Sequence, residues 1–160
     1  MKIIETLVSA KPGSALADAM AKRAEILRLS QAAHDAVLLA HDPGGLSHGL
    51  RAALAARMAR HNGNEELAAH YDALVDRAAE PEMAPLSIPG TSVSDTRIAE
   101  MVRHADMLTL APREATRANI ESLRAAGVAD ADIVRLSELA AFVNYQVRVI
   151  AGMKLIGGIK

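Results

Sequence analysis

Six histidines, at positions 34, 41, 48, 61, 70 and 104, are the side chains of this sequence best suited to moving protons or holding a metal, and no cysteine accompanies them. Their spacing decides what they can do. His34 and His41 lie seven apart, His41 and His48 flank Pro43-Gly44-Gly45, and His61 and His70 stand on either side of Asn62-Gly63. None of these forms the i, i+4 histidine pair with a neighbouring acid that a helical metal site uses, so the sequence predicts no metal site and no cofactor. The absence of cysteine goes further. It excludes disulfides, thiolate zinc sites, thiol nucleophiles and thiol redox chemistry.

Two polar groupings remain. His61, His70 and Tyr71 surround the Asn62-Gly63 stop and could supply proton donors and acceptors to a small molecule, as general acid–base chemistry requires. Tyr71 also shares a helix face with Leu67 and Leu74, which favours a core tyrosine with a satisfied hydroxyl. Ser137, Asn144 and Arg148 fall on one edge of a helix. There they could line a pocket in which the guanidinium holds a carboxylate, or form an internal network that orients neighbouring loops. Arg51, Arg57 and Arg60 read as the solvated face of their helix, partnered by nearby acids. Nucleophile elbow, phosphate loop and dinucleotide fingerprint are absent, and Gly44-Gly45 follows a helix rather than a strand, which makes it a turn.

These groups need helices to position them. Pro12-Gly13 is a turn, Ser14 a helix N-cap, and apolar residues at Leu16, Met20, Leu27 and Leu38 predict one long helix to about His41. After Asp42-Pro43-Gly44-Gly45, Ser47 caps a second helix that Asn62-Gly63 closes, and Asn64 opens a third with Glu65 and Glu66 at the favourable end of its dipole. Residues 80–94 hold Pro81, Pro85, Pro89 and Gly90 and predict the one long loop, a lid or a connector. Ser94 and Asp95 open a fourth helix ended by Pro112, Thr116 a fifth ended by Gly127, and Asp130 caps the last. In that last helix the apolar residues from Ile133 to Met153 spread over about 200°, too wide for a surface helix. It must be central to the bundle or bury a second face in an oligomer.

Composition agrees with close-packed helices. Apolar residues make up 51 % of the 160-residue chain, alanine alone contributes 33 and leucine 18, and only Tyr71, Phe142 and Tyr145 are aromatic. A net charge of −1 offers phosphate no cationic footprint, and three aromatics cannot build a base-stacking platform, so no nucleic-acid partner is expected. The apolar N-terminal run is interrupted by Glu5 and no stretch has the roughly 18 apolar residues of a membrane span, which predicts a cytoplasmic protein without a membrane partner. One domain over residues 1–160 is expected, with helical halves at 1–79 and 95–160.

Several segments together carry a resemblance. Leu46-Ser47-His48-Gly49-Leu50-Arg51 through Asn62-Gly63-Asn64 and Leu67-Ala68-Ala69-His70-Tyr71 resemble the core of the alkylhydroperoxidase D-like, carboxymuconolactone decarboxylase superfamily. Downstream, His104-Ala105-Asp106-Met107-Leu108, Leu123-Arg124-Ala125-Ala126-Gly127-Val128 and Ala141-Phe142-Val143-Asn144-Tyr145-Gln146-Val147-Arg148 are similar to its peroxidase-related branch. The likeness spans nearly the whole chain and is nearest to a small uncharacterised subfamily. It implies an all-α, alkylhydroperoxidase D-like bundle of about six helices that assembles as a dimer, trimer or hexamer.

The resemblance also implies where redox chemistry should sit. Redox members use a glutamate, a cysteine twelve positions on, a second cysteine three later and a histidine four beyond that. Here those places hold Ala52, Asn64, Leu67 and Tyr71. Nothing in the chain replaces a thiolate, so no catalytic residue is carried over and thiol-peroxidase activity is expected to be absent. Asn64 suits a helix N-cap, Leu67 a buried position and Tyr71 the space of an imidazole. The expectation is a non-redox binding or partner subunit, associating with itself or with a cysteine-bearing paralogue. The alternative is a cysteine-independent acid–base enzyme acting on a small organic acid or lactone.

Overall fold

The run Arg51-Ala-Ala-Leu-Ala-Ala-Arg-Met-Ala-Arg60 has small side chains on every face, which lets other helices approach one helix from all sides. A computed structural model describes residues 2–158 and places this run at the centre of an all-helical bundle. Eight α-helices are present among the described residues: α1 (Ile3–Val8), α2 (Ala15–Ala21), α3 (Ala24–Leu38), α4 (His48–His61), α5 (Glu65–Ala78), α6 (Thr96–Leu110), α7 (Arg117–Ala125) and α8 (Asp130–Ile156). Every residue of α4 from Gly49 to Ala59 is buried. Its most extensive partner is α5, reached through the tight turn at Gly63, whose φ of +69° favours glycine.

The second central helix is α8. It packs against α1, α2, α3, α4, α6 and α7, and buries residues at wide angles round its axis from Ile133 to Ile150. In length and hydropathy α8 matches a membrane span, but it buries the polar side chains of Asp132, Asn144 and Gln146 inside the bundle. The core helix of a folded domain has this character. The N-terminal apolar run is α1, with Ile3, Ile4 and Val8 buried and α3 and α8 as its partners.

Local signals explain half of the helix starts. Ser14, Ser47, Asn64 and Asp95 each accept a hydrogen bond from the backbone N–H three residues on, at 3.2, 3.2, 3.0 and 2.8 Å. The last helix differs from expectation. Ala129 is its N-cap, and Asp130 lies one residue inside, paired with Arg124 at 2.7 Å. The expected helix from Ser14 to His41 is also broken, because the chain turns at Lys22-Arg23 between α2 and α3 without proline or glycine. Within the proline-rich stretch, Pro81–Ser87 forms a 3-10 helix against α4 and α5.

Two of the three arginines expected on a solvated face of α4 are buried, while Arg60 is partly exposed and pairs with Asp72 and Glu65 as expected. Arg51 is 2 % exposed and Arg57 4 %. Arg51 donates from Nε to the Leu46 carbonyl at 2.9 Å, from Nη1 to Val37 at 2.9 Å and from Nη2 to Pro43 at 2.8 Å. Burial, with Arg135 nearby, lowers its pKa below the usual arginine value, and the three carbonyls supply the solvation it has lost. The turn that Arg51 holds also meets α8: Gly45 donates its N–H to Asp132 Oδ1 at 2.9 Å. A Cβ at Gly45 would lie 2.2 Å from Asp132 Oδ2, so the contact requires glycine.

Candidate functional site

Of the four positions that the resemblance matches to a redox site, three are buried and the fourth, Asn64, is partly exposed. Ala52 is 1 % exposed, and Leu67 and Tyr71 are fully buried. Asn64 caps α5. The Tyr71 hydroxyl donates to Gln146 Oε1 on α8, while Gln146 Nε2 has no partner among the described residues. Burial pushes the Tyr71 pKa far above the ordinary phenol value, so the hydroxyl stays a donor and is no base at physiological pH.

Tyr71 belongs to an aromatic cluster that contains a histidine pair. The His34 ring runs nearly parallel to Tyr71 at a centroid distance of 6.3 Å, and His70 tilts against both. His34 Nδ1 lies 2.8 Å from Asp35 Oδ1, and His34 Nε2 lies 3.0 Å from His70 Nε2. The hydrogen-bond pattern assigns the protons: His34 Nδ1–H donates to Asp35, and the bare Nε2 accepts from His70 Nε2–H. Burial opposes the charge on Asp35, but hydrogen bonds from His34 and Gln31 outweigh it and hold its pKa below the usual value. His70 is pushed down to about 4 by burial and by the neighbouring His34 and Arg77. The result is a hydrogen-bonded Asp–His–His chain whose outer imidazole, His70, is neutral at pH 7. It has the order of a proton relay but no thiol to activate.

His61 lies elsewhere. Its Nε2 is 2.9 Å from Asp106 Oδ1, and the Arg57 guanidinium grips the same carboxylate through Nε and Nη2, both at 2.7 Å. Arg57 Nη1 also donates to the carbonyls of Ile88 at 2.7 Å and Leu86 at 3.3 Å. Arg60 adds a donation to the Ser87 carbonyl at 3.1 Å. This network straps the end of the 3-10 segment to α4.

Ser137, Asn144 and Arg148 do come together, in a different place. They line one wall of an open cavity of about 630 Å³ bordered by α6, α7, α8 and the connection 112–116. His104 and Leu108 of α6, with Ile120 of α7, supply the facing walls. Two of the three sequence-selected side chains are already committed. Ser137 Oγ donates to the Ile133 carbonyl at 2.9 Å. Asn144 Nδ2 donates to the Ala140 carbonyl at 2.9 Å and to Thr109 Oγ1 at 3.2 Å, and its Oδ1 accepts from Asn62 at 3.1 Å. Arg148 is exposed and gives only Nη1 to the Asn144 carbonyl, at 2.8 Å.

His104 is the wall residue that sequence reasoning passed over. It is 2 % exposed, and its Nδ1 has no partner among the described residues. Burial, reinforced by Arg103, lowers its pKa below the usual histidine value, so the ring is neutral at pH 7. The signal was its place on the apolar stripe of α6, three residues after Met101 and four before Leu108. Among the described residues no three His, Asp or Glu side chains gather as a metal-ligating group.

The helices, their order and their packing define the chain as having the alkylhydroperoxidase D-like fold. An uncharacterized peroxidase-related protein from Silicibacter sp. TM1040 superposes with a TM-score of 0.71 at 24 % identity, over 81 % of this chain and 69 % of that one. The alkylhydroperoxidase AhpD core of an uncharacterized peroxidase-related protein from Ralstonia eutropha JMP134 gives 0.71 at 22 % identity, over 84 % and 71 %. No protein-family model and no curated protein matches the chain.

Proposed function

We propose that this chain is a non-redox, self-associating binding subunit built on a peroxidase-related fold. The observation that carries the reading is the filled site: Ala52, Leu67 and Tyr71 occupy the positions of the relay and a thiol with at most 1 % exposure, in a chain without cysteine. A thiol peroxidase needs an accessible thiolate, and no other side chain here takes that role. Self-association draws support from the face shared by α3 and α8, where Ile26, Leu29 and Tyr145 are exposed side by side around a shallow apolar groove.

The purified, metal-free protein should give no thiol-dependent turnover of an organic hydroperoxide above a boiled control. Size exclusion with light scattering should return a multiple of 16.9 kDa. Turnover would overturn the non-redox part, and a clean monomer the self-association. A second reading, acid–base catalysis on a small organic acid, is favoured by one observation, the cavity that places His104 and Arg148 on common walls. Catalysed decarboxylation or lactone opening that is lost in His104→Phe would select it.

A further inference from the structure

We propose that the cavity between α6, α7 and α8 is a binding site for a small monocarboxylic acid with an apolar body. It rests on the binding-subunit reading above and names the ligand class.

A volume of about 630 Å³ falls within the range of small-molecule sites. The charge on its walls has one sign. Arg117 and Arg148 line it and no aspartate or glutamate does. Arg117 is largely committed outward, with Glu121 3.6 Å away and its side chain 91 % exposed. Arg148 has no carboxylate of the described residues within ion-pair distance and spends one nitrogen on the Asn144 carbonyl. Its remaining N–H groups are free for a planar carboxylate, which a guanidinium binds through two parallel hydrogen bonds.

The fixed parts of the wall point to the same ligand. Asn144 holds the carbonyl that accepts from Arg148, and its own amide is locked by Ala140, Thr109 and Asn62, so the guanidinium is anchored to a rigid turn of α8. Leu108, Ile120, Ala140 and Ala141 supply apolar surface for the body of the ligand. His104 is a buried, neutral wall residue whose Nδ1 finds no protein partner. Sites with one unpaired cation and a neutral imidazole suit a single negative charge; a phosphate dianion would leave most of its acceptors without donors.

The test is titration calorimetry of the full chain with phenylbutyrate, its neutral amide phenylbutyramide, and phenyl phosphate. The acid is expected to bind saturably, at least about tenfold tighter than the amide, since only the acid pairs its charge with the guanidinium. Arg148→Met should erase that difference by weakening the acid alone. Ala141→Trp, at an exposed wall position where the fold tolerates bulk, should abolish binding of both. Equal binding of acid and amide, an unchanged acid affinity in Arg148→Met, or tighter binding of phenyl phosphate would each overturn the proposal, as would no saturable binding up to millimolar acid. Hydroperoxide turnover is a separate readout. It can fail the non-redox reading while leaving this binding intact, and loss of binding leaves the absence of turnover untouched.

Discussion

His34 and His70 meet through their Nε2 atoms at 3.0 Å, with Asp35 behind His34 and Arg77 acting on His70 from its own helix. Burial opposes a charge on His70, and the neighbouring His34 and Arg77 oppose it further. The folded chain therefore resists protonating His70, whose pKa falls from 6.5 to about 4. Between those values the unfolded chain binds a proton that the folded chain does not, and stability must fall as the pH falls through that window. The loss is expected to be about 2 kcal/mol after solvent screening at this half-buried ring. Thermal unfolding should show a Tm lower by about 4–8 °C at pH 4.5 than at pH 7.5, with a smaller drop in His70→Gln. Equal acid sensitivity in the two proteins would refute the assignment.

Tyr71 and Gln146 join α5 to α8 through a buried hydrogen bond. Removing the hydroxyl in Tyr71→Phe leaves the whole Gln146 amide buried without a partner, since Nε2 is already unpaired. Chemical denaturation should register a loss of about 1–3 kcal/mol. Adding Gln146→Leu should recover most of it, because the orphaned amide is then gone. If the double variant is no more stable than Tyr71→Phe alone, the hydrogen bond is not what fixes the pair.

The contrast between these residues shows what a sequence carries. The caps at Ser14, Ser47, Asn64 and Asp95 were legible because their bonds reach only three residues along the chain. The grouping of Ser137, Asn144 and Arg148 was legible for the same reason, as helical spacing alone puts them on one edge. Arg51 and Arg57 look solvated in the sequence because their partners are the carbonyls of Val37, Pro43, Leu86 and Ile88, contacts that only the tertiary fold creates. The break between α2 and α3 has no local breaker, since neither proline nor glycine stands at Lys22-Arg23.

Arg57 and Asp106 tie α4 to α6 and, through Ile88 and Leu86, to the 3-10 segment. The guanidinium is nearly inaccessible, so Asp106→Ala strands a buried charge and should cost about 3–5 kcal/mol. Arg57→Met removes the charge along with its partner's need for burial and should cost less. Urea midpoints of the two variants at neutral pH measure the difference. A milder effect for Asp106→Ala than for Arg57→Met would mean that the carbonyl contacts, rather than the ion pair, hold this arginine.

His104 offers the opposite case, a buried polar group whose removal should not hurt. Its Nδ1 lacks a partner among the described residues and its ring is held neutral by burial and Arg103, so the folded protein bears a buried, unsatisfied polar atom. Phenylalanine keeps the shape of the ring and deletes that atom. His104→Phe is therefore expected to leave stability unchanged at pH 7.5 or to raise it by about 1 kcal/mol, which for a chain of this size is a Tm gain of about 2–4 °C. The sign of the pH effect gives an independent check. The wild-type ring loses stability as the pH drops below its unfolded value, and the variant lacks that contribution, so its advantage should widen between pH 7 and pH 5. Destabilisation of more than about 1 kcal/mol at pH 7.5 would show that His104 has a partner in solution, and the cavity wall would then be a structural network rather than a surface waiting for a ligand.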